Sequence, residues 1–249
     1  MARKKYEFTG ETKEWGGVTL KRIRATIDFM LKDGTKVVKG DYGGWIEKEE
    51  NLSHTDSAWV CGDACVYDNA RVCGDARVFG NAVVFGDAMV YGNAKVYGDA
   101  CVYDNARVCG DACVYDNAIV YDNAKVCGDA RVYGDAEVYG NARVYGNARV
   151  CGSAMVCGGA DVCGNAKIEK LSDLICLRNN WSSGRPFTYT RSNKKWSVGC
   201  FFGTGKELIK KAYADSELKG KCYELTVKYV EELYKIIETQ GKGPLPSKK

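Results

Sequence analysis

The chain has 249 residues, of which 45% are hydrophobic and 27% charged, and its formal net charge is +4. No run of 18 apolar residues occurs, which excludes a membrane-spanning helix. The first residues, Met-Ala-Arg-Lys-Lys-Tyr-Glu, lack the apolar segment of a secretion signal, so we expect a cytoplasmic protein. The positive charge is concentrated in residues 169–249, which contain 16 basic and 9 acidic side chains and are the place to look for an anionic ligand.

Residues 1–57 are predicted to form an N-terminal β cap. Strands are expected over residues 5–9 and 18–29, with Trp15-Gly16-Gly17 as the turn between them. The stretch that follows is predicted to be a solenoid, and the strands of its first coil have unpaired edges. A cap over these edges prevents two solenoids from pairing end to end. A ligand site around Trp45 is the alternative role of this segment.

Residues 58–168 repeat with a period of six. Ala recurs at every sixth position from Ala58 to Ala166, and Val recurs in the same way from Val60 to Val162, with Ile168 closing the series. Such a short fixed period predicts a solenoid. Each unit supplies a short strand with Val pointing inward and a corner of Gly, Asp or Asn, and three units close a coil of 18 residues. The stretch therefore predicts about six coils stacked by parallel β pairing.

The spacing of an aliphatic residue and a small residue four positions later, as in Val60 and Ala64, resembles the left-handed parallel β-helix of the hexapeptide-repeat family. The left hand and a trimeric assembly are what this resemblance implies. The cap segment around Trp45 and Ile46 also resembles the start of phage- and prophage-encoded hexapeptide proteins and of a predicted acyltransferase of enteric bacteria. The fold class predicted is mainly β, with a C-terminal α+β domain.

The 13 Cys residues do not indicate disulfides or a metal. Ten of them occupy outward strand positions of the repeat, where Tyr, Phe, Val or Met stand in other units. This use of Cys as a small apolar residue is typical of a reducing compartment. No Cys-x-x-Cys motif and no neighbouring His occur in the repeat, so no metal site is predicted.

One face of the predicted prism is almost wholly apolar and is expected to be covered by another subunit or by the C-terminal helix. Its residues recur every 18 positions and are Tyr67, Val83, Phe85, Tyr103, Ile119, Tyr121, Tyr139 and Met155. The other two faces combine aromatic residues with Arg and Lys. They fit either single-stranded nucleic acid or, because residues 58–168 contain 13 acidic and 9 basic side chains, an ordinary solvated sheet.

Acyl transfer from coenzyme A is the enzymatic alternative, because the resemblance implies it for many members of the family. Those enzymes use a general-base His in a coil or an inserted loop. The single His of this chain, His54, precedes the first regular coil, and no coil is interrupted. We therefore predict no catalytic residue and no cofactor.

Residues 169–240 are predicted to form an α+β domain, followed by a disordered tail over 241–249. Strands are expected over 174–177, 187–191 and 195–202, and helices over 205–215 and 217–239. Thr204 and Glu207 fit a capping box at the start of the first helix. The buried side of the second helix is predicted to contain Leu218, Cys222, Leu225, Tyr229, Val230, Leu233, Ile236 and Ile237.

Basic and aromatic residues cluster around the Gly-Thr-Gly segment before the first helix. Arg guanidinium groups and helix N-termini bind anions, and the ring of Trp provides a surface for stacking. The motif is not a P-loop, so nucleotide hydrolysis is not predicted. The predicted ligand site consists of Trp181, Arg185, Arg191, Lys194, Lys195, Trp196, Thr204, Gly205 and Lys206. The alternative role of this domain is to end the solenoid and to hold subunits together.

These observations predict a non-catalytic oligomeric scaffold, with a trimer as the expected assembly. Its predicted partner is an anionic, nucleotide-like small molecule or a host protein. Through the phage resemblance, its use is expected to be the sequestration of a host nucleotide signal or the blocking of a host defence protein. An acyltransferase and a purely structural protein remain the alternatives.

Overall fold

The computed structural model describes residues 4–180 and 183–239. The chain begins with an antiparallel hairpin of β1 (Tyr6–Trp15) and β2 (Val18–Ala25), and the predicted strand over 18–29 ends at Ala25. It ends there because the chain turns, and the Asp28 carboxylate accepts a hydrogen bond from the Lys39 N–H at 2.8 Å. The short strands β3 (Phe29–Met30) and β4 (Lys36–Val37) pair antiparallel in the segment between Asp28 and Lys39.

The cap and the solenoid share one sheet through β5 (Tyr42–Ile46). This strand pairs antiparallel with β2 and parallel with the first strand of the repeat on the same face, where Trp45 lies beside Cys65 and Ile46 beside Val66. The hairpin thereby occupies the strand edge that the first coil leaves open, which is how sheets avoid edge-to-edge association. A 3₁₀ helix (Glu49–Asn51) leads from β5 into the repeat.

The repeat forms short strands of two residues, each ending in the inward-pointing Val or Ile. In chain order, β6 to β24 are Trp59–Val60, Cys65–Val66, Arg71–Val72, Arg77–Val78, Val83–Val84, Met89–Val90, Lys95–Val96, Cys101–Val102, Arg107–Val108, Cys113–Val114, Ile119–Val120, Lys125–Val126, Arg131–Val132, Glu137–Val138, Arg143–Val144, Arg149–Val150, Met155–Val156, Asp161–Val162 and Lys167–Ile168. Strands 18 residues apart pair in parallel and build three sheets. The predicted parallel β-solenoid is confirmed.

The solenoid has about seven coils instead of six, because β5 and a bridge between Leu52 and Val72 add to its N-terminal end. The Val and Ala side chains of the repeat form one continuous buried core. The corners use Gly or Asp with positive φ, as at Gly128 (71°) and Asp122 (57°). This left-handed backbone conformation is open to Gly and tolerated by Asp, which explains the residue choice.

The C-terminal domain begins after a second 3₁₀ helix (Leu171–Asp173). An antiparallel sheet follows in the order β25 (Leu174–Arg178), β26 (Pro186–Thr190), β27 (Lys195–Val198) and β28 (Phe201–Gly203). The strand predicted over 195–202 is two strands, because the chain reverses at Gly199, whose φ is 59°. Helices α1 (Gly205–Asp215) and α2 (Glu217–Thr239) complete the domain, and the capping box of Thr204 and Glu207 is present.

The prediction of the buried side of α2 is wrong for most of its residues. The helix buries Gly220, Tyr223, Val227, Val230 and Tyr234 against the sheet and α1. The absence of a side chain at Gly220 permits this packing, since a Cβ there would lie 2.2 Å from the ring of Tyr213 on α1. The predicted side, which contains Leu218, Leu225, Tyr229 and Ile236, faces outward and is exposed.

No helix in the described part of the chain is long and apolar enough to cross a membrane. The tail predicted over 241–249 lies outside the described residues.

Candidate functional site

A cavity of about 430 Å³ lies where the β26–β27 hairpin, the start of α1 and the C-terminal half of α2 meet. Its lining is Tyr189, Lys194, Thr204, Gly205, Lys206, Glu231, Tyr234, Lys235 and Glu238. We call it the α1 cavity. It combines lysine ammonium groups with two carboxylates and two tyrosine side chains.

Gly205 sets the shape of the α1 cavity. A Cβ at this position would lie 2.4 Å from Oε1 of Glu231 and 2.5 Å from Cγ1 of Val227, so only Gly lets the first turn of α1 rest on α2. The same Cβ would lie 3.3 Å from Nε1 of Trp196. Trp196 is fully buried, and its indole N–H has no hydrogen-bond acceptor among the described residues. A buried donor without a partner is rare in folded proteins.

The charges in the α1 cavity are unevenly paired. Lys235 lies 3.1 Å from Glu232, and Glu238 lies 3.5 Å from Arg191. Lys194 and Lys206 form no ion pair within 4 Å in the described ranges 4–180 and 183–239. Two ammonium groups are therefore available at this cavity for an anion.

The N-terminus of α1 also offers backbone donors. The side chain of Thr204 accepts a hydrogen bond from the Glu207 N–H at 3.3 Å, and the Glu207 carboxylate accepts one from the Thr204 N–H at 2.7 Å. This bonding lowers the pKa of Glu207, with the backbone hydrogen bond from Thr204 as the main cause. The N–H groups of Gly205 and Lys206 take no part in this box, and helix N-termini with such donors favour negative charge.

The structure brings together four of the predicted ligand residues, namely Lys194, Thr204, Gly205 and Lys206. Arg191 reaches the rim, where its guanidinium pairs with Glu238 and lies 5.9 Å from the centre of the Tyr234 ring.

Lys195 lies on β27, and its charge contributes to the lowered pKa of Glu207. Trp196 packs in the core against Phe187 and Tyr189, so it has no exposed ring face for stacking.

Two predicted ligand residues do not join the α1 cavity. Arg185 lines a separate cavity of about 110 Å³ between β28, α1 and α2, together with Lys211, Asp215 and Lys219. Trp181 lies outside the described residues.

Strand β26 and helix α2 contribute lining residues that were not predicted from the sequence, namely Tyr189, Glu231, Tyr234, Lys235 and Glu238. Their presence depends on the rotation of α2, and the apolar pattern of the helix favoured the opposite side. Burial raises the pKa of Tyr234 to about 12, and its hydroxyl donates to the backbone oxygen of Ser172 at 2.9 Å.

The predicted oligomer face is a sheet bearing a column of stacked rings. Tyr67, Phe85, Tyr103, Tyr121 and Tyr139 follow one another at centroid distances of 5.1, 4.8, 5.1 and 4.9 Å. We call this surface the ladder face. The cap hairpin covers its first rungs, since Leu20 and Trp45 pack with Cys65 and Tyr67 and with the partly buried Val83 and Phe85.

Beyond the cap, Ile119 and the later rings of the ladder face are only partly buried, and Met155 is exposed. The C-terminal helix directs its buried side to its own sheet and α1.

His54, the base that an acyltransferase would require, is engaged inside the cap. Its ring stacks on Tyr6 at 4.1 Å, and its Nδ1 accepts a hydrogen bond from the Lys5 N–H at 3.2 Å. Burial lowers its pKa. These contacts are those of a packing residue.

A larger groove of about 600 Å³ lies on another solenoid face, beside Lys48, Asn69 and Asp87. Lys48 donates to Asn69 at 3.3 Å, and Asn69 donates to Asp87 at 3.1 Å. These three groups satisfy one another, and although Arg71 of the same groove forms no ion pair among the described residues, we place the candidate site at the α1 cavity, where two lysines meet a helix N-terminus.

Comparison with known families adds information on the solenoid. A family model described as the YdcK beta solenoid repeat matches residues 70–86, 106–122, 136–152 and 142–158. The solenoid is similar to this repeat. All four matches lie within residues 70–158, away from the cap and the α1 cavity. No curated protein matches the chain.

Proposed function

We propose that the protein is a non-catalytic scaffold that binds an anionic, nucleotide-like ligand in the α1 cavity. The observation that carries this proposal is the meeting of Lys194 and Lys206, which have no ion pair among the described residues, with the N-terminus of α1.

The chemistry of the lining favours a ligand with both anionic and donor groups. A phosphate fits the ammonium groups and the N–H groups of Gly205 and Lys206, because charged hydrogen bonds to phosphate are the stronger kind. Glu231 and Glu238 accept hydrogen bonds from hydroxyl or amino groups, and a nucleoside supplies several of these at a distance from its phosphate. A nucleotide therefore satisfies more of the cavity than a simple anion does.

The proposal extends to assembly and origin. The half-buried ladder face supports a homo-oligomer, with a trimer favoured, because large apolar sheet surfaces are normally covered. The phage resemblance of the cap supports a phage- or prophage-encoded protein of the cytoplasm. In that setting the bound ligand is a host nucleotide signal, and its sequestration counters a host defence. The alternative partner of this scaffold is a host defence protein, which the scaffold would block.

Native mass spectrometry of the protein purified from cells tests the ligand first, because denaturation releases and identifies a bound small molecule. Titration calorimetry with ATP, cyclic AMP and inorganic phosphate then ranks the probes. We expect a nucleotide to bind more tightly than phosphate. The double variant Lys194→Ala/Lys206→Ala should weaken that binding at least tenfold, whereas Lys210→Ala, an exposed lysine of the same helix, should not. Equal binding by both variants, or no binding of any probe, contradicts the proposal.

The ladder face is tested separately by analytical ultracentrifugation. Tyr121→Glu places a charge in the middle of the face and should lower the assembly mass. Tyr115→Glu is the matched control, since Tyr115 occupies the same position of the repeat in a second ring column, stacked on Tyr97 at 4.9 Å. An unchanged mass for Tyr121→Glu overturns the ladder interface.

A further inference from the structure

Helix α2 is apolar on two opposite sides. Its inner side packs on the domain core, as described above. Its outer side exposes Leu218, Leu225, Tyr229 and Ile236, with 75%, 70%, 62% and 47% of their surfaces accessible, and Cys222 lies half-buried among them. We call these five residues the outer stripe. Exposed apolar side chains that form a continuous row mark an interaction surface.

The spacing of the outer stripe is that of a helix-pairing seam. Positions 218, 222, 225 and 229 alternate steps of four and three, and Ile236 follows seven residues after Tyr229. A period of 3.5 residues is what keeps a row of side chains facing one partner helix along its length. The row spans about 27 Å at 1.5 Å per residue, which is long enough for stable pairing of two helices.

The charges beside the outer stripe select the partner's direction. One flank carries Lys221 and Lys228, and the other carries Lys219, Thr226 and Leu233. Consider a parallel pair of identical helices. A first-flank residue of one helix then lies opposite a second-flank residue of the other helix, and the number of that second residue is higher by five. Lys221 and Lys228 then face the uncharged Thr226 and Leu233. An antiparallel pair would instead oppose the lysines to one another.

Each of these lysines forms an ion pair within its own helix, but ion pairs at an exposed surface are weak, so opposed lysines would still repel each other. Lys221 lies 2.8 Å from Glu217, and Lys228 lies 2.6 Å from Glu224. The parallel arrangement, which keeps the lysines of the two copies apart, is therefore favoured over the antiparallel one.

We propose that the outer stripe pairs in parallel with the outer stripe of a second copy of this chain. Such a pair is self-complementary and closed by a two-fold axis, the usual symmetry of homodimers. Cys222 of each copy then faces Cys222 of the other across the seam. The inference is independent of the ligand and of the ladder face, because neither surface includes the outer stripe.

Glu232 is the one charged residue at a seam position, between Tyr229 and Ile236, and in the parallel pair it faces Glu232 of the second copy, so this like-charge contact weakens the association. Glu232→Leu completes the seam and should tighten association at least tenfold in sedimentation velocity of the full chain at micromolar concentrations. Leu225→Glu should weaken it at least tenfold. Lys210→Leu on α1 is the matched control for added apolar surface, and it should leave the association unchanged.

The outcomes separate the alternatives. If Leu225→Glu sediments as the wild type does, or if Lys210→Leu associates as tightly as Glu232→Leu, the helix pair is overturned. Tyr121→Glu lies on the ladder face and is expected to leave the helix pair intact. This result distinguishes the helix pair from the oligomer interface on the ladder face. Circular dichroism of Leu225→Glu should match the wild type, since the side chain it replaces is mostly exposed.

Cys222 reports the direction of pairing. Diamide takes two electrons and two protons from a pair of thiols and leaves a disulfide, so it should join two chains through Cys222 in the parallel arrangement. Non-reducing electrophoresis is expected to show this dimer in the wild type and its loss in Cys222→Ser. Because Cys176 and Cys200 are also exposed thiols, the test is repeated in Cys176→Ser/Cys200→Ser, and failure of that variant to form a dimer contradicts the parallel seam.

Discussion

Arg143 and Asp161, which lie one coil apart near the end of the solenoid, form a bidentate ion pair. Nε of Arg143 donates to Oδ1 of Asp161 at 2.6 Å, and Nη2 donates to Oδ2 at 2.8 Å. Asp161 is almost fully buried, and its backbone N–H donates to the side chain of Thr188 on β26 at 2.9 Å. This carboxylate therefore lies at the point where the C-terminal domain docks on the last coils.

Arg143→Met should destabilise the protein by about 2 kcal/mol, because the buried Asp161 carboxylate loses its charged partner. Urea unfolding followed by circular dichroism measures the change. Arg143→Met/Asp161→Asn is the control, since it removes the uncompensated charge and should recover about half of the loss. If the double variant is less stable than Arg143→Met, the ion pair is not the cause.

Asp122 tests the corner chemistry of the solenoid. It has positive φ, and its Oδ2 accepts a hydrogen bond from the Gly140 N–H at 3.0 Å. Asp122→Ala keeps the strained backbone and loses this bond, so it should cost about 1 to 2 kcal/mol. Asp122→Gly loses the same bond but relieves the strain, and its unfolding midpoint should stay close to the wild type. Equal losses for both variants would show that the hydrogen bond alone matters.

Lys5 gives the cap a pH-dependent stability. Burial lowers its pKa from 10.5 to about 8, and its ammonium group donates to the backbone oxygen of Ala58 at 2.7 Å. Between pH 8 and 10.5 the folded chain has released this proton while the unfolded chain still binds it, so stability from this group rises with pH. Below pH 8 the contribution is constant.

Raised pKa values of buried thiols and phenols, such as those of Cys65 and Tyr67, act in the opposite direction at high pH. The Lys5 effect is therefore measured as the difference in unfolding free energy between the wild type and Lys5→Met. That difference should shift in favour of the wild type from pH 8 to 10.5. A difference that is flat over this range would place the Lys5 pKa near its ordinary value.

The solenoid was predictable from the order of its residues alone. Every unit consists of a two-residue strand and a corner. The inward Val and Ala side chains of one unit pack against the Val and Ala side chains of other units. The period, the corner residues and the core residues therefore all predict a solenoid, and no knowledge of contacts between distant residues is needed. The capping box at Thr204 is local in the same way and was predicted for the same reason.

The rotation of α2, and with it the α1 cavity, became visible only in the folded chain. Both sides of this helix are apolar, so periodicity alone favoured Leu218 and Leu225 over Tyr223 and Val227. The side that is buried depends on the close approach of Tyr213 to Gly220 and on the contact of Val227 with Gly205. Such contacts join residues that no local pattern relates and that become neighbours only after folding, and they brought Glu231 to the site.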